Sequence, residues 1–183
     1  MTHTVPLFTI PFVFLRHGET DSNVQRLVAG SLDVPLTARG REQARAAAAA
    51  LARSTITAIY ASPLQRARDT AEAITAAVRL PVTLMDELKE RCWGVLEGQP
   101  QGQRVRGTVP ESAETYEAYA ARVLRGMAAI PPVGTPLVVA HSGVYRVLCR
   151  TLAIPETREP VANAMPVRFL PPSAPDAGWQ ISI

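Results

Sequence analysis

Two histidines stand directly after apolar runs that suit buried strands. Residues 12–15 lead into Arg16 and His17, and residues 136–140 lead into His141. The carboxyl ends of parallel strands share one edge of a sheet, so we expect these side chains to lie close together. A neutral imidazole can act as a nucleophile or exchange a proton, and a guanidinium binds phosphate oxygens in a fixed geometry. The pattern therefore suggests chemistry on an anion.

A third apolar segment ends in the same way. Residues 56–61 run into Ser62, and Arg66 follows within the first turn of the next predicted helix. Ser62 as N-cap, Pro63 at the first helical position and Gln65 at the third would form a capping box. Each feature alone is typical of an ordinary polar residue at a strand end. Their coincidence at three strand ends, beside helix N-termini that attract anions, favours a phosphate site.

Strands alternate with helices along the chain. We predict strands at 10–15, 56–61, 82–84, 136–140, 164–170 and 179–183, and helices at 37–52, 62–78, 112–129 and 142–152. Thr37 caps the first of these helices, and the third buries Tyr116, Ala120, Val123 and Met127. We expect Gly18 and Gly143 to allow tight turns just after each histidine. The alternation predicts a three-layer α/β/α sandwich with a mostly parallel central sheet.

Composition limits the classes of partner. The 183 residues suit a single domain, here residues 1–183, with 47% hydrophobic residues and a net charge of +3. With 18 arginines, one lysine and few aromatic residues, we expect no nucleic-acid surface. The two cysteines lack metal-ligand spacing, so we expect neither a metal nor another cofactor. We expect a cytoplasmic protein with no signal peptide and no membrane association.

Several blocks together resemble one family. They are Arg16-His17-Gly18-Glu19-Thr20 with Asn23, residues 30–44, Ser62-Pro63-Leu64-Gln65-Arg66-Ala67, residues 88–98 and His141-Ser142-Gly143. Taken in order over nearly the whole chain, these blocks resemble the histidine phosphatase superfamily, in its phosphoglycerate-mutase-like branch. The resemblance implies the same sandwich fold and a phosphoryl-transfer reaction.

The resemblance also assigns roles. His17 would be the nucleophile that carries the phosphoryl group, with its other ring nitrogen donating to a fixed acceptor such as a backbone carbonyl. Glu90 would protonate the leaving oxygen and then activate water. The phosphate oxygens would be bound by Arg16, Arg66 and His141, by Asn23, and by the backbone N–H of Ser142.

The sequence leaves the acceptor of the phosphoryl group open. A short lid segment around residues 98–111 favours transfer to water, which predicts a phosphatase. Glu90-Arg91, in contrast, resembles the corresponding residues of phosphoglycerate-type mutases. Arg91 either contacts a second anionic group or faces solvent. A phosphohistidine protein phosphatase is a further alternative, although Glu90 favours an alcohol leaving group. The expected partners are a small phosphorylated metabolite and inorganic phosphate as product, and a homodimer is possible.

Overall fold

The elements of the chain follow the predicted alternation. The computed structural model describes residues 5–105, 107–155, 161–174 and 176–183. The strands are β1 (Phe12–Arg16), β2 (Ala58–Ala61), β3 (Val82–Leu84), β4 (Pro136–Ala140), β5 (Pro166–Leu170) and β6 (Gln180–Ser182). The helices are α1 (Asp21–Val24), α2 (Ala38–Leu51), α3 (Gln65–Val78), α4 (Tyr116–Ala129) and α5 (Ser142–Thr151). Short 3-10 helices lie at Pro6–Thr9, Asp86–Leu88, Gly94–Leu96 and Gln101–Gln103.

The six strands form one sheet in the order β3-β2-β4-β1-β5-β6. β3, β2, β4 and β1 are mutually parallel, whereas β5 and β6 are antiparallel to their neighbours. The mostly parallel sheet that the sequence predicts is therefore confirmed. The order also places β1 and β4, whose carboxyl ends carry the histidines, next to each other.

Both faces of the central strands are buried, which explains their continuous apolar runs. On β1, Phe12 and Phe14 join the core under α4 and α5. Val13 and Leu15 join the opposite core, under α2 and α3. The predicted three-layer sandwich is thus confirmed. Within the described residues, no helix is both long and apolar enough to cross a bilayer.

The start of α2 holds the loop that follows β1. Thr37 caps α2, as predicted, by accepting a hydrogen bond from the Gly40 N–H at 2.9 Å. Gly40 and Gly18 approach each other so closely that a Cβ on Gly18 would overlap the Gly40 carbonyl oxygen. The two glycines therefore allow the loop after β1 to pack on the helix.

Three local predictions were wrong. α3 begins at Gln65 with Leu64 as N-cap and no side-chain cap, so Ser62 forms no capping box. α4 begins at Tyr116 after the Thr115 cap, so the predicted start at residue 112 was too early. The predicted inward residues do pack on the core, and Tyr119 is buried with them. Gly143 lies inside α5 and not in a turn.

Candidate active site

The carboxyl ends of β1 and β4 bring the two histidines together. Arg16 pairs with Ala140 across the two strands, and the His17 N–H donates to the Ala140 carbonyl at 3.0 Å. The ring centroids of His17 and His141 are 5.2 Å apart, and the residues are only 5% and 0% exposed. The predicted meeting of the histidines at this sheet edge is confirmed.

His17 is held in one orientation. Its Nδ1 lies 2.7 Å from the Gly18 carbonyl oxygen. Because a carbonyl only accepts, Nδ1 carries the proton and Nε2 keeps its lone pair in the neutral ring. The Gly18 N–H donates to Thr70 Oγ1, and Thr70 donates to the Arg66 carbonyl. This chain of bonds fixes the loop on α3 and leaves Nε2 as the ring nitrogen of His17 with a lone pair.

His141 is fixed by Ser62. The Ser62 Oγ accepts from the Leu64 N–H at 3.3 Å and lies 2.8 Å from His141 Nε2. The Ser62 hydroxyl can donate its proton to Nε2, and in that tautomer Nδ1 is the N–H donor of the neutral ring. Ser62 at the strand end thus acts as a partner of His141 and not as a helix cap.

Three buried side-chain nitrogens at this site have no hydrogen-bond partner among the described residues. They are Arg16 Nε, Arg66 Nε and His141 Nδ1. Buried donors in folded proteins are almost always paired, so three together indicate a site for an acceptor-rich ligand. A phosphoryl group offers three oxygens for these three donors. The residue types predicted to bind phosphate are the ones that carry these donors.

The same surroundings keep both histidines neutral. Burial lowers the pKa of His17 well below its ordinary value of 6.5, and the charges of Arg66 and Arg16 lower it further. The hydrogen bond to the Gly18 carbonyl opposes this shift. Burial, followed by the charge of Arg66, likewise lowers the pKa of His141. A neutral His17 is the form that can attack phosphorus.

Arg66 is held by the loop before α2. Its two terminal nitrogens donate to the Leu32 and Gly30 carbonyls at 2.7 and 2.8 Å. Asp33 from the same loop accepts from the Gln65 N–H at the start of α3. These bonds use the guanidinium edge that faces the loop and leave Nε for a ligand.

Glu90 is held by three donors. The Tyr119 hydroxyl and the Arg91 N–H donate to Oε1, each at 2.9 Å, and the Gly143 N–H donates to Oε2 at 3.0 Å. A carboxylate oxygen has two lone pairs, so Oε1 is fully used and Oε2 keeps one. Oε2 is therefore the atom of Glu90 that can carry an exchanged proton.

Two side chains of α4 that the sequence analysis missed position this carboxylate. Burial raises the pKa of Tyr119 well above its ordinary value, and Glu90 raises it further, so the hydroxyl stays a donor. Arg122, three residues later, pairs with Glu114 and donates to the Glu87 and Lys89 carbonyls. Both residues lie within the predicted helix at 112–129, but no sequence pattern indicated their contacts with the 87–90 segment.

Asn23 contributes an amide. Its Oδ1 accepts from the Thr20 N–H at 3.1 Å and from Asn163 Nδ2 at 3.2 Å. The Nδ2 group of Asn23 is thereby oriented as a donor at the cavity that the residue lines. Asn163, which also donates to the His17 carbonyl, had no signal in the sequence because it lies far along the chain.

One cavity of about 560 Å³ joins these groups. It is lined by the predicted residues Arg16, His17, Asn23, Arg66, Glu90, Arg91 and Ser142. Arg91 does not simply face solvent, because its Nε donates to the Glu114 carbonyl and its guanidinium lies 4.3 Å from the Trp93 ring centroid. His141 lies behind this surface, fully buried.

Among the residues that the structure describes, no three His, Cys, Asp or Glu side chains gather closely enough to hold a metal ion.

The chain belongs to the histidine phosphatase superfamily (branch 1), which residues 12–160 match. The resemblance drawn from the sequence motifs is thereby confirmed.

Curated relatives include both phosphatases and mutases. The uncharacterized phosphatase PhoE of Bacillus subtilis is 36% identical, over 73% of this chain and 72% of its own. The adenosylcobalamin/alpha-ribazole phosphatase of Escherichia coli is 30% identical, over 75% and 76% of the two chains. The probable phosphoglycerate mutase GpmB of an Enterobacter species is 34% identical, over 75% and 72%.

The fold matches a solved phosphatase. The mycobacterial glucosyl-3-phosphoglycerate phosphatase Rv2419c, determined as a complex with VO3, superimposes with a TM-score of 0.78. The match covers 95% of this chain and 98% of that one, at 28% identity. This chain thus has the α/β fold of known histidine phosphatases.

Proposed function

We propose that this protein hydrolyses small phosphate monoesters without a metal ion, through a phosphohistidine on His17. One observation carries the proposal: buried nitrogens of Arg16, Arg66 and His141, without a partner among the described residues, lie near a histidine that burial and the arginines keep neutral. The arginines supply the positive charge that a phosphoryl transition state needs.

The reaction has two steps. In the first, His17 Nε2 attacks phosphorus, the bond from phosphorus to the ester oxygen breaks, and Glu90 Oε2 gives its proton to the departing oxygen. In the second, water attacks phosphorus, its proton passes to Glu90 Oε2, and the bond to Nε2 breaks to release inorganic phosphate. Arg16, Arg66, His141 and Asn23 hold the remaining oxygens throughout.

The test is phosphate release in the presence of EDTA from a panel of monoesters. The panel contains an aryl phosphate, 3-phosphoglycerate, fructose bisphosphates, an alpha-ribazole-type phosphate and a phosphohistidine peptide. Wild type is expected to turn over at least one, and His17→Ala none. Turnover by His17→Ala would contradict the mechanism.

Trapping of the intermediate adds a control. Rapid acid-free quenching with labelled substrate is expected to leave base-stable, acid-labile label on wild type. His141→Ala is expected to label more slowly but still at His17, because it keeps the nucleophile. Label on His17→Ala would place the phosphoryl group elsewhere.

A phosphoglycerate-type mutase is the second candidate, because the GpmB relatives carry that name. Incubation of 3-phosphoglycerate with enzyme already phosphorylated on His17 distinguishes the mutase from the phosphatase. Isomerisation faster than phosphate release would favour the mutase. For a phosphohistidine protein phosphatase, turnover of the phosphohistidine peptide would exceed that of every alkyl ester, and the presence of Glu90 speaks against this outcome.

A further inference from the structure

The cavity holds more arginine than one phosphate requires. Besides Arg16 and Arg66 it is lined by Arg91, Arg104, Arg146 and Arg150, and Glu90 is the only Asp or Glu among its described lining residues. The dianion of a single phosphate monoester leaves most of this positive charge uncompensated. A substrate with more negative charge would match the cavity better.

Two of the four additional arginines are placed by other contacts. Arg91 donates its Nε to the Glu114 carbonyl and lies over Trp93. The Arg150 guanidinium lies 4.8 Å from the Tyr116 ring centroid. Arg104 and Arg146 remain as candidates for a ligand.

Arg104 is half-buried and has only long bonds within its own turn. Its Nε and a terminal nitrogen lie 3.3 and 3.4 Å from the backbone and side-chain oxygens of Gln101. Its guanidinium lies 5.2 Å from the Trp93 ring centroid, which orients it at the cavity. Among the ion pairs of the described residues, none involves Arg104 or Arg146.

Arg146 lines the cavity from α5. It lies four residues after Ser142 on α5, so both lie on one side of the helix, and both line the cavity. Burial lowers the pKa of Arg104, the charge of Arg146 lowers it further, and Glu90 opposes both. Burial lowers the pKa of Arg16 most, Glu90 raises it, and the charge of Arg146 lowers it. Arg146 is therefore electrostatically close to the phosphate site and to Arg104.

We propose that Arg104 and Arg146 form a second anion-binding site that selects phosphate monoesters carrying another negative group, either a carboxylate or a second phosphate. This inference rests on the proposed phosphomonoesterase function. The anion would bridge the 98–111 segment, which carries Arg104, and α5, which carries Arg146. Both arginines would determine specificity without touching the transferred phosphoryl group.

Matched substrates test the site. For the carboxylate, 3-phosphoglycerate is compared with glycerol 3-phosphate, and for the phosphate, glucose 1,6-bisphosphate with glucose 1-phosphate. para-Nitrophenyl phosphate reports the basal reaction. Wild type is expected to show kcat/KM about tenfold or more higher for the doubly anionic member of at least one pair, the effect of one charge-assisted hydrogen bond. The pair that shows the preference identifies the second group.

In Arg104→Gln and Arg146→Gln, the ratio of kcat/KM for the doubly anionic substrate to that for its singly anionic partner is expected to fall about tenfold. Turnover of para-nitrophenyl phosphate is expected to stay within about threefold of the wild-type value. Arg45→Gln, on the exposed side of α2, is the control for lost net charge. Equal losses on all substrates, or no preference in wild type, would overturn the second site.

Binding to the His17→Ala protein separates this inference from the reaction. Calorimetry with each substrate pair is expected to show tighter binding of the doubly anionic member, and the added Arg104→Gln change is expected to abolish the difference. If no substrate turns over but this difference is found, the hydrolase proposal fails and the second site stands. Equal affinities within both pairs would overturn the site.

Discussion

His17 and Glu90 face the same cavity but are held by opposite kinds of partner. The Gly18 carbonyl accepts a hydrogen bond from the His17 Nδ1–H, so Nε2 keeps the lone pair of the neutral ring. Three donors surround Glu90 and leave one lone pair on Oε2. Each arrangement leaves a single atom with a lone pair, which the proposed reaction uses for attack on phosphorus at His17 and for proton exchange at Glu90.

Glu90→Gln separates proton transfer from phosphoryl transfer. Because an alkoxide leaving group must be protonated and a nitrophenolate needs this less, the variant is expected to lose about 100-fold or more in kcat/KM on an alkyl phosphate. The loss on para-nitrophenyl phosphate is expected to be much smaller. Steady-state kinetics on both esters measure the difference.

Glu87→Gln is the matched control, since Glu87 lies in the same segment and does not line the cavity. It is expected to leave both rates near those of wild type. Equal losses for Glu90→Gln on the two esters would show that Glu90 positions substrate and does not move the proton.

The motifs singled out residues that the structure brings together at one sheet edge, and their catalytic roles stay a prediction. The residues that orient those groups were not predicted. Asn163, Tyr119 and Arg122 reach the site from distant segments, and their contacts depend on packing that no local pattern records. Ser62 was noticed for the wrong reason, because its hydroxyl can serve a cap or a histidine equally well.

Among the elements, α5 contributes backbone as well as side chains. The Gly143 N–H donates to Glu90, and a Cβ at this position would overlap Glu90 Oε1 and lie 2.7 Å from the Tyr119 hydroxyl. Glycine in a helix is ordinarily about 1 kcal/mol less favourable than alanine. Its use here is explained by the space that the carboxylate needs.

Gly143→Ala is expected to displace the Glu90 carboxylate and lower kcat about 10- to 100-fold on an alkyl phosphate, since small misplacements of a catalytic group have effects of this size. Thermal unfolding is expected to change little, because the overlapping atoms are side-chain ends. Gly178→Ala, where a Cβ would meet nothing within 4 Å, is the control. A Gly143→Ala enzyme with wild-type kcat would contradict this account of the close contact.

Element boundaries were predicted well where apolar periodicity and caps agree. Thr37 before α2 and the apolar run of β4 are examples, because hydrogen bonding and burial favour the same limits. The start of α4 was placed too early because residues 112–115, with the sequence SAET, are compatible with a first helical turn. The cap at Thr115 decides the boundary.

Across the whole molecule, one sheet edge gathers residues from both halves of the chain. The strand order places β1 beside β4, and this pairing, long-range in sequence, creates the site. The sequence predicted the class of sheet but not this order. That residues 1–183 form one domain, with 98–111 as a lid, stays a prediction.

Burying two neutral histidines makes the stability of the molecule depend on pH. The pKa values of His17 and His141 are lowered well below 6.5 in the folded chain, whereas unfolding restores the ordinary value. As pH falls below 6.5 the unfolded chain binds protons that the folded chain does not. The free energy of unfolding is therefore expected to fall by up to about 1.4 kcal/mol per pH unit for each histidine.

Urea unfolding in phosphate-free buffer between about pH 7 and pH 5 measures this slope. His17→Asn and His141→Asn are each expected to reduce the slope of the free energy of unfolding against pH by about the contribution of one bound proton, because asparagine does not titrate. Carboxylates titrate in all three proteins and cancel in the comparison. If both variants kept the wild-type slope, the folded protein would bind protons at these histidines as readily as the unfolded chain, and the neutral nucleophile would lose its physical basis.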